Sequence, residues 1–293
     1  MTDDMSAVRL NDLAGLWRRT VIAWPDGRSD TTTDAFWLQG PKYFADLRIP
    51  RGRPDLPAGS CLRDLDWGML RFMARQEGFF GDLEVAQSTG HWHRAFDYQP
   101  DTGVADRGTL KFEGDVLVER GVESPYVEHW QRESRAGENA MALRLVSGDP
   151  LSFGCLIAAG DAFIYARSRA MHLPRNTTLH QLVSDAGSIE AAQNFFDCEI
   201  SFGRRRGARW EIERSSLPYR EGQTLAPALD AASLVIGDVA PTGAASKRAW
   251  RIAACESSAA DPFFHWFGLE SRSDAAGAVG LAARLPMAKL GAD

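Results

Sequence analysis

The sequence predicts a mainly β protein, an antiparallel up-and-down barrel with one short helix, followed by a smaller C-terminal β-rich domain. Three observations point there. Short β-type runs succeed one another through roughly residue 170. Turn formers such as Gly40-Pro41, Gly114-Asp115 and Gly160-Asp161 separate them. Regular helices do not alternate with the strands, which disfavours a parallel sheet. A long meander closes readily, because closure removes unpaired edges.

In chain order, the first strand is Gly15 to Ile22, ended by Pro25-Asp26-Gly27. Thr31 to Gln39 and Lys42 to Ile49 form a hairpin around Gly40-Pro41. Further runs are Leu83 to Val85, His91 to Gln99, Thr109 to Phe112, Val116 to Arg120, Tyr126 to Glu133, Met141 to Val146, Phe153 to Ala158 and Ala162 to Arg167. One helix interrupts them. From Ser60, a suitable N-cap, Leu62, Leu65, Met69, Phe72 and Met73 recur at helical spacing, and Gly78 stops the run. Such a helix is placed to lie across a barrel mouth, with its apolar stripe in ordinary packing.

The expected domains are 1–172 and 173–293. The second begins after Leu173-Pro174 with a helix over Thr178 to Phe195, weakened by Gly187. A hairpin, Asp197 to Phe202 and Ala208 to Glu213, follows, with strand candidates at Ser233 to Ile236 and Ala249 to Cys255. The Ala-rich tail from Ser273 reads as peripheral.

Composition narrows the function classes. The chain has 293 residues, 33 basic against 39 acidic, for a net charge of −6. That balance argues against a generic nucleic-acid binder and against attachment to anionic lipid. No apolar run is long enough to span a membrane. The first residues lack the basic and apolar regions of a signal peptide. Cys61, Cys155, Cys198 and Cys255 are far apart and form no CxxC pair. A cytoplasmic protein with reduced thiols is the resulting expectation.

Gly15-Leu16-Trp17 matches the GxW that opens the first strand of lipocalins, where the Trp packs across the barrel floor. Several longer stretches carry a second resemblance: Phe36-Trp37-Leu38-Gln39, Ala45-Asp46-Leu47-Arg48, Ala74-Arg75-Gln76-Glu77-Gly78-Phe79, Trp92-His93-Arg94 with Phe96-Asp97, and Tyr126-Val127-Glu128-His129-Trp130. They resemble the HRI family, lipocalin-like proteins of fungi and bacteria. The likeness covers residues 14 to 170 and continues loosely through Trp210-Glu211-Ile212 and Ser216 to Gly222. It implies a lipocalin-like barrel and no settled reaction.

Alternation then sorts candidate site residues by face. His91, His93, Asp97 and Gln99 share one side of their strand; Trp92, Arg94, Phe96 and Tyr98 share the other. Both sides are mixed, so two registers stay open. With the His93 face inward, Trp37, Gln39, Tyr126 and Trp130 are the ligand-binding candidates. His93, Asp97, Arg48 and Glu128 are then the catalytic candidates. His93 serves as acid/base and Arg48 as anchor for a carboxylate or enolate. An aromatic cavity with few polar groups is the composition of a small-molecule site. In the opposite register Arg94 and Tyr98 become the interior polar groups.

His91-Trp92-His93 raises metal chemistry, since two imidazoles at i and i+2 project together. The third ligand is missing from the local sequence, with His129 the one guess, so no metal site and no cofactor are expected. GxSxG, Walker A and GxGxxG motifs are absent. Gly203 to Arg209 carries a basic run that reads as a solvated hairpin tip. The leading reading is a barrel that binds a small, partly aromatic molecule, with metal-free lyase or isomerase chemistry as an extension. The alternatives are a filled barrel serving as a protein-interaction module, and a metal-dependent enzyme using the His pair. Oligomeric state is left open.

Overall fold

The computed structural model describes residues 7–135, 140–230, 233–257 and 266–267. The expected Ala-rich tail lies outside them. Nine strands come first: β1 Gly15–Ala23, β2 Ser29–Asp30, β3 Asp34–Gln39, β4 Tyr43–Ile49, β5 Glu77–Ala86, β6 Thr89–Asp97, β7 Asp106–Glu113, β8 Val116–Gly121 and β9 Val127–Arg135. Neighbours pair antiparallel, and β1 returns to β9, so eight strands close a barrel with the two-residue β2 appended to β1. Closure leaves no long edge exposed. Trp17 is fully buried inside, stacked on Trp37 at 5.9 Å, and its Nε1 donates to the Leu13 carbonyl at 2.7 Å. The Arg132 guanidinium lies over the same indole, 4.1 Å from the ring centre.

The second sheet takes the strands β10 Ala140–Val146, β11 Phe153–Ala159, β12 Ala162–Arg167, β13 Glu199–Arg206, β14 Arg209–Ser215, β15 Ala228–Asp230, β16 Ser233–Val239 and β17 Ala245–Ser257. Its order is β14-β13-β12-β11-β10-β17-β16-β15, all antiparallel, a half-barrel. The change of sheet therefore falls after Arg135, not at residue 172. Strands β10 to β12 continue the meander in sequence, but their hydrogen bonds go to β17 and β13. Strand composition does not encode which sheet a strand joins.

The two sheets share a core. Phe36, Leu38, Ala45 and Leu47 on the outer face of β3 and β4 pack with Ile157, Ile164, Ile200 and Phe202. Phe36 stacks on Phe202 at 4.2 Å. The helical stripe Leu62, Leu65, Met69, Phe72 and Met73 is buried in this same core. It lies between the sheets, not over a barrel mouth. The predicted single helix is a short 3-10 turn, Leu62–Asp64, followed by α1, Trp67–Met73, whose N-cap Asp66 accepts from the Met69 amide at 2.8 Å. Downstream, Gly187 divides the expected helix in two: α2, Leu179–Asp185, and α3, Ile189–Asn194, capped by Thr178 and Ser188. A four-residue helical turn, Leu10–Leu13, precedes β1. Among the described residues no helix is long and apolar enough to cross a membrane. All four cysteines are free thiols.

Candidate functional site

The barrel holds a cavity of about 370 Å³ at the end away from Trp17. That is within the range of small-molecule sites. Its wall is set by cross-strand pairing. Trp37 of β3 sits opposite Asp46 of β4, Asp46 opposite Phe79 of β5, and Phe79 opposite Asp97 of β6. On the far wall Leu117 pairs with Trp130 and Glu119 with Glu128. The rim comes from the loop with Thr102, Val104 and Ala105, and from Arg107, Glu123, Ser124 and Tyr126.

A bulge in β6 decides the register. Gly81 pairs with Arg94 and Phe80 with Phe96, which leaves Ala95 without a partner. A Cβ on Gly81 would fall 1.8 Å from the His93 carbonyl oxygen, so the bulge needs glycine there. Before the bulge Trp92 and Arg94 face inward and His93 faces out. After it the parity shifts, and Asp97 joins the inward side. Strict alternation placed His93 and Asp97 together; the extra residue separates them.

The structure thus corrects the expected site in part. It brings Trp37, Arg48, Tyr126, Glu128 and Trp130 to the cavity, with Asp97 behind Arg94. His93 is excluded, on the outer wall and paired across the strands with Asp82. Gln39 is fully buried but engaged at the β3–β4 turn. It accepts from Trp37 Nε1 at 3.2 Å and donates to the Gly40 and Lys42 carbonyls. Tyr98, the alternative interior residue, is buried in the core between the sheets, hydrogen-bonded to Gln76 at 3.0 Å. Arg94, the interior group of the opposite register, lines the cavity, while sequence reasoning missed Asp46, Asp106 and Glu119 as site residues. The one signal available was the i, i+2 spacing of Asp46 and Arg48 beside Phe44.

The charges form two clusters. Arg48 donates to both oxygens of Asp46, at 2.9 and 3.3 Å, and to Glu128 Oε1 at 3.2 Å. Arg19 donates to the same Glu128 oxygen at 2.5 Å. Arg94 donates to Asp106 at 2.7 Å and to Asp97 at 2.5 Å. Its guanidinium lies 3.7 Å from the Phe79 ring centre, and Arg48 lies 5.3 Å from it. Burial alone would lower the Arg48 pKa, but the Asp46 and Glu128 carboxylates outweigh it and hold the group well above its ordinary value. Burial pushes Asp46 up to about 6 against the pull of Arg48.

Among the described residues no arginine pairs with Glu119. Its oxygens accept from Tyr126 Oη at 2.7 Å and Trp130 Nε1 at 3.1 Å. Gly108 makes room for it, since a Cβ there would lie 2.7 Å from Glu119 Cγ. Burial, and then the facing Glu128, push the Glu119 pKa up to about 8. Across the pair, Glu128 Oε2 is buried and accepts no hydrogen bond from any described residue.

The raised Glu119 pKa fixes a pH dependence. The unfolded chain releases this proton near the ordinary 4.5, while the folded chain keeps it to about 8. The folded state binds more protons between those values, so stability falls as pH rises through that window. Asp46 adds the same sign between 3.8 and about 6. Glu119→Gln is expected to flatten the slope between pH 6 and 8 and to exceed wild type in stability above pH 8. Urea midpoints at a series of pH values check it.

On the outer wall, Asp82, Glu84 and His93 bring ligand atoms within 4.8 Å of one another, and the His91 ring lies 3.8 Å from that of His93. That group joins His93 to two carboxylates of β5, and neither His91 nor His129 is a member of it. In the basic run, Arg204 pairs with Asp161 and Glu133, Arg206 with Glu213, and Arg209 with Glu211, while Arg205 covers Trp266.

No family model matches the chain, and no curated protein matches it. Among solved structures, the crystal structure of the uncharacterized Saccharomyces cerevisiae protein YLR301w is similar, at 13% sequence identity and a TM-score of 0.49, covering 83% of this chain and 98% of that one. A likeness this distant assigns no activity.

Proposed function

We propose that the first barrel binds a small, partly aromatic molecule in its open end. The observation that carries this is the 370 Å³ cavity walled by Trp37, Phe79, Trp92 and Trp130, with a few convergent polar groups. A barrel serving only as an interaction scaffold has no use for such a void, because interiors otherwise pack to crystal-like density. Val104, 58% exposed, stands at the rim, where an apolar side chain meets an entering ligand. Any proton transfer in this cavity falls to carboxyl groups, chiefly Glu119 and Asp46, because His93 is outside. A metal-free isomerase or lyase step therefore runs through Glu119, a buried carboxylic acid able to give and retake a proton near neutral pH.

The test uses the rim. Ala105 is exposed and lines the entrance, so Ala105→Trp should plug the cavity without touching the core. Small aromatic fragments are expected to raise the melting temperature of wild type and to leave the plugged variant unchanged. Equal responses from both proteins would remove the cavity from the account.

A further inference from the structure

We infer that the ligand of this cavity is an organic cation, an aromatic or arylalkyl amine protonated on nitrogen, received by the facing Glu119 and Glu128 carboxyl groups. The inference rests on the cavity being a binding site and names what it takes.

The arginines rule against an anion. Arg48 is held by Asp46 and Glu128, Arg94 by Asp97 and Asp106, and Arg107 by Glu123. An entering carboxylate or phosphate must displace one of these acids and leave it buried without a partner, which costs more than the new contact returns. The acids, in contrast, are in surplus. Five of them line the cavity, Asp46, Asp106, Glu119, Glu123 and Glu128, against the three arginines Arg48, Arg94 and Arg107.

The unmatched acid is Glu119, because Arg19 and Arg48 both hold its neighbour Glu128. Glu119 and Glu128 are direct cross-strand partners on the inner face, an arrangement of like groups that destabilises a sheet unless something offsets it. Both side chains are at least 96% buried, and among the described residues Glu119 receives the neutral donors Tyr126 and Trp130. Glu128 Oε2 is left without a donor among the described residues. Such an atom costs free energy until a donor reaches it. An ammonium supplies three donors and one positive charge, which matches one free oxygen and two crowded carboxyls. The aromatic walls suit the same ligand. Arg48 and Arg94 already lie against Phe79, so the rings here face positive charge.

The experiment compares three size-matched probes, 2-phenylethylamine, 2-phenylethanol and phenylacetate, titrated into the full chain at pH 8.5, where Glu119 is ionised and the amine keeps its proton, and followed by tryptophan indole NMR signals. The amine is expected to bind about tenfold or more tighter than the alcohol, as a charge-assisted hydrogen bond implies, with the carboxylate weakest. Glu119→Gln, which keeps the shape and the acceptor for Tyr126, is expected to erase most of that preference. If phenylacetate or the alcohol binds as well as the amine, the cation assignment falls and the binding site stands. If the amine's advantage is undiminished in Glu119→Gln, the carboxyl pair is the wrong receptor. If none of the three moves the indole signals of Trp37, Trp92 or Trp130, the inference and the cavity reading fail together.

Discussion

Arg48→Ala is expected to destabilise the protein by about 3–5 kcal/mol, the range for stripping one partner from a buried ion cluster. The side chain of Arg48 is 15% exposed and touches two carboxylates that are almost fully buried, Asp46 at 3% and Glu128 at 2%. Removing it leaves Asp46 without its two-bond partner and Glu128 dependent on Arg19 alone. Asp46 then takes up a proton more readily, so the loss should shrink as pH falls from 7 toward 5. Pairing the change with Asp46→Leu should recover part of the loss, because no Asp46 carboxylate is then left buried without its partner. Urea denaturation of the two single variants and the double variant at pH 7 and pH 5 checks both statements. A loss below about 1 kcal/mol, typical of a surface pair, would mean that the cluster is open to water.

Trp17→Ala is expected to cost about 3–5 kcal/mol, for a different reason. Trp17 is fully buried, stacked on Trp37, with Arg132 over its ring and Leu13 accepting from its indole. Truncation opens a void at the closed end and strands the Leu13 carbonyl. The void adjoins Trp37, which also walls the cavity, so ligand binding should weaken along with stability. Val122→Ala, at an exposed position between β8 and β9, serves as control and should stay within about 0.5 kcal/mol of wild type. Denaturant midpoints and slopes for the two variants separate these outcomes.

The hairpins were legible because turn chemistry is local. Gly114 and Gly160 both adopt φ +62°, the left-handed conformation that their Gly-Asp contexts suggested. Trp17 was legible for a related reason, since the GxW pattern sits at the start of the strand that closes the barrel on β9. The sheet boundary was not, because β10 to β12 have the strand character of any buried run and only long-range pairing assigns them. Within the site, alternation put Glu128 with Trp130 on one face and Asp46 with Arg48 on another but left the inward side open, and pairing turns these faces and Trp37 to the cavity. His93 did not stay with Asp97, because the Ala95 bulge breaks the period-two count within β6. The glycine at position 81 was the visible trace of that bulge, but its meaning depends on which carbonyl approaches it. Glu119 escaped notice because its importance comes from facing Glu128, a relation that appears only once β8 and β9 are paired.

The small-molecule site that we propose lies in the first barrel and not in the half-barrel beside it. The nine tryptophans divide the molecule well enough to test this. Trp37, Trp92 and Trp130 line the cavity, while Trp210 and Trp250 are buried in the core of the second sheet. With assigned indole N–H resonances, a titration with 2-phenylethylamine should move the first three and leave the last two in place. Shifts confined to Trp210 and Trp250, or no shift at any indole up to the solubility of the probe, would contradict it.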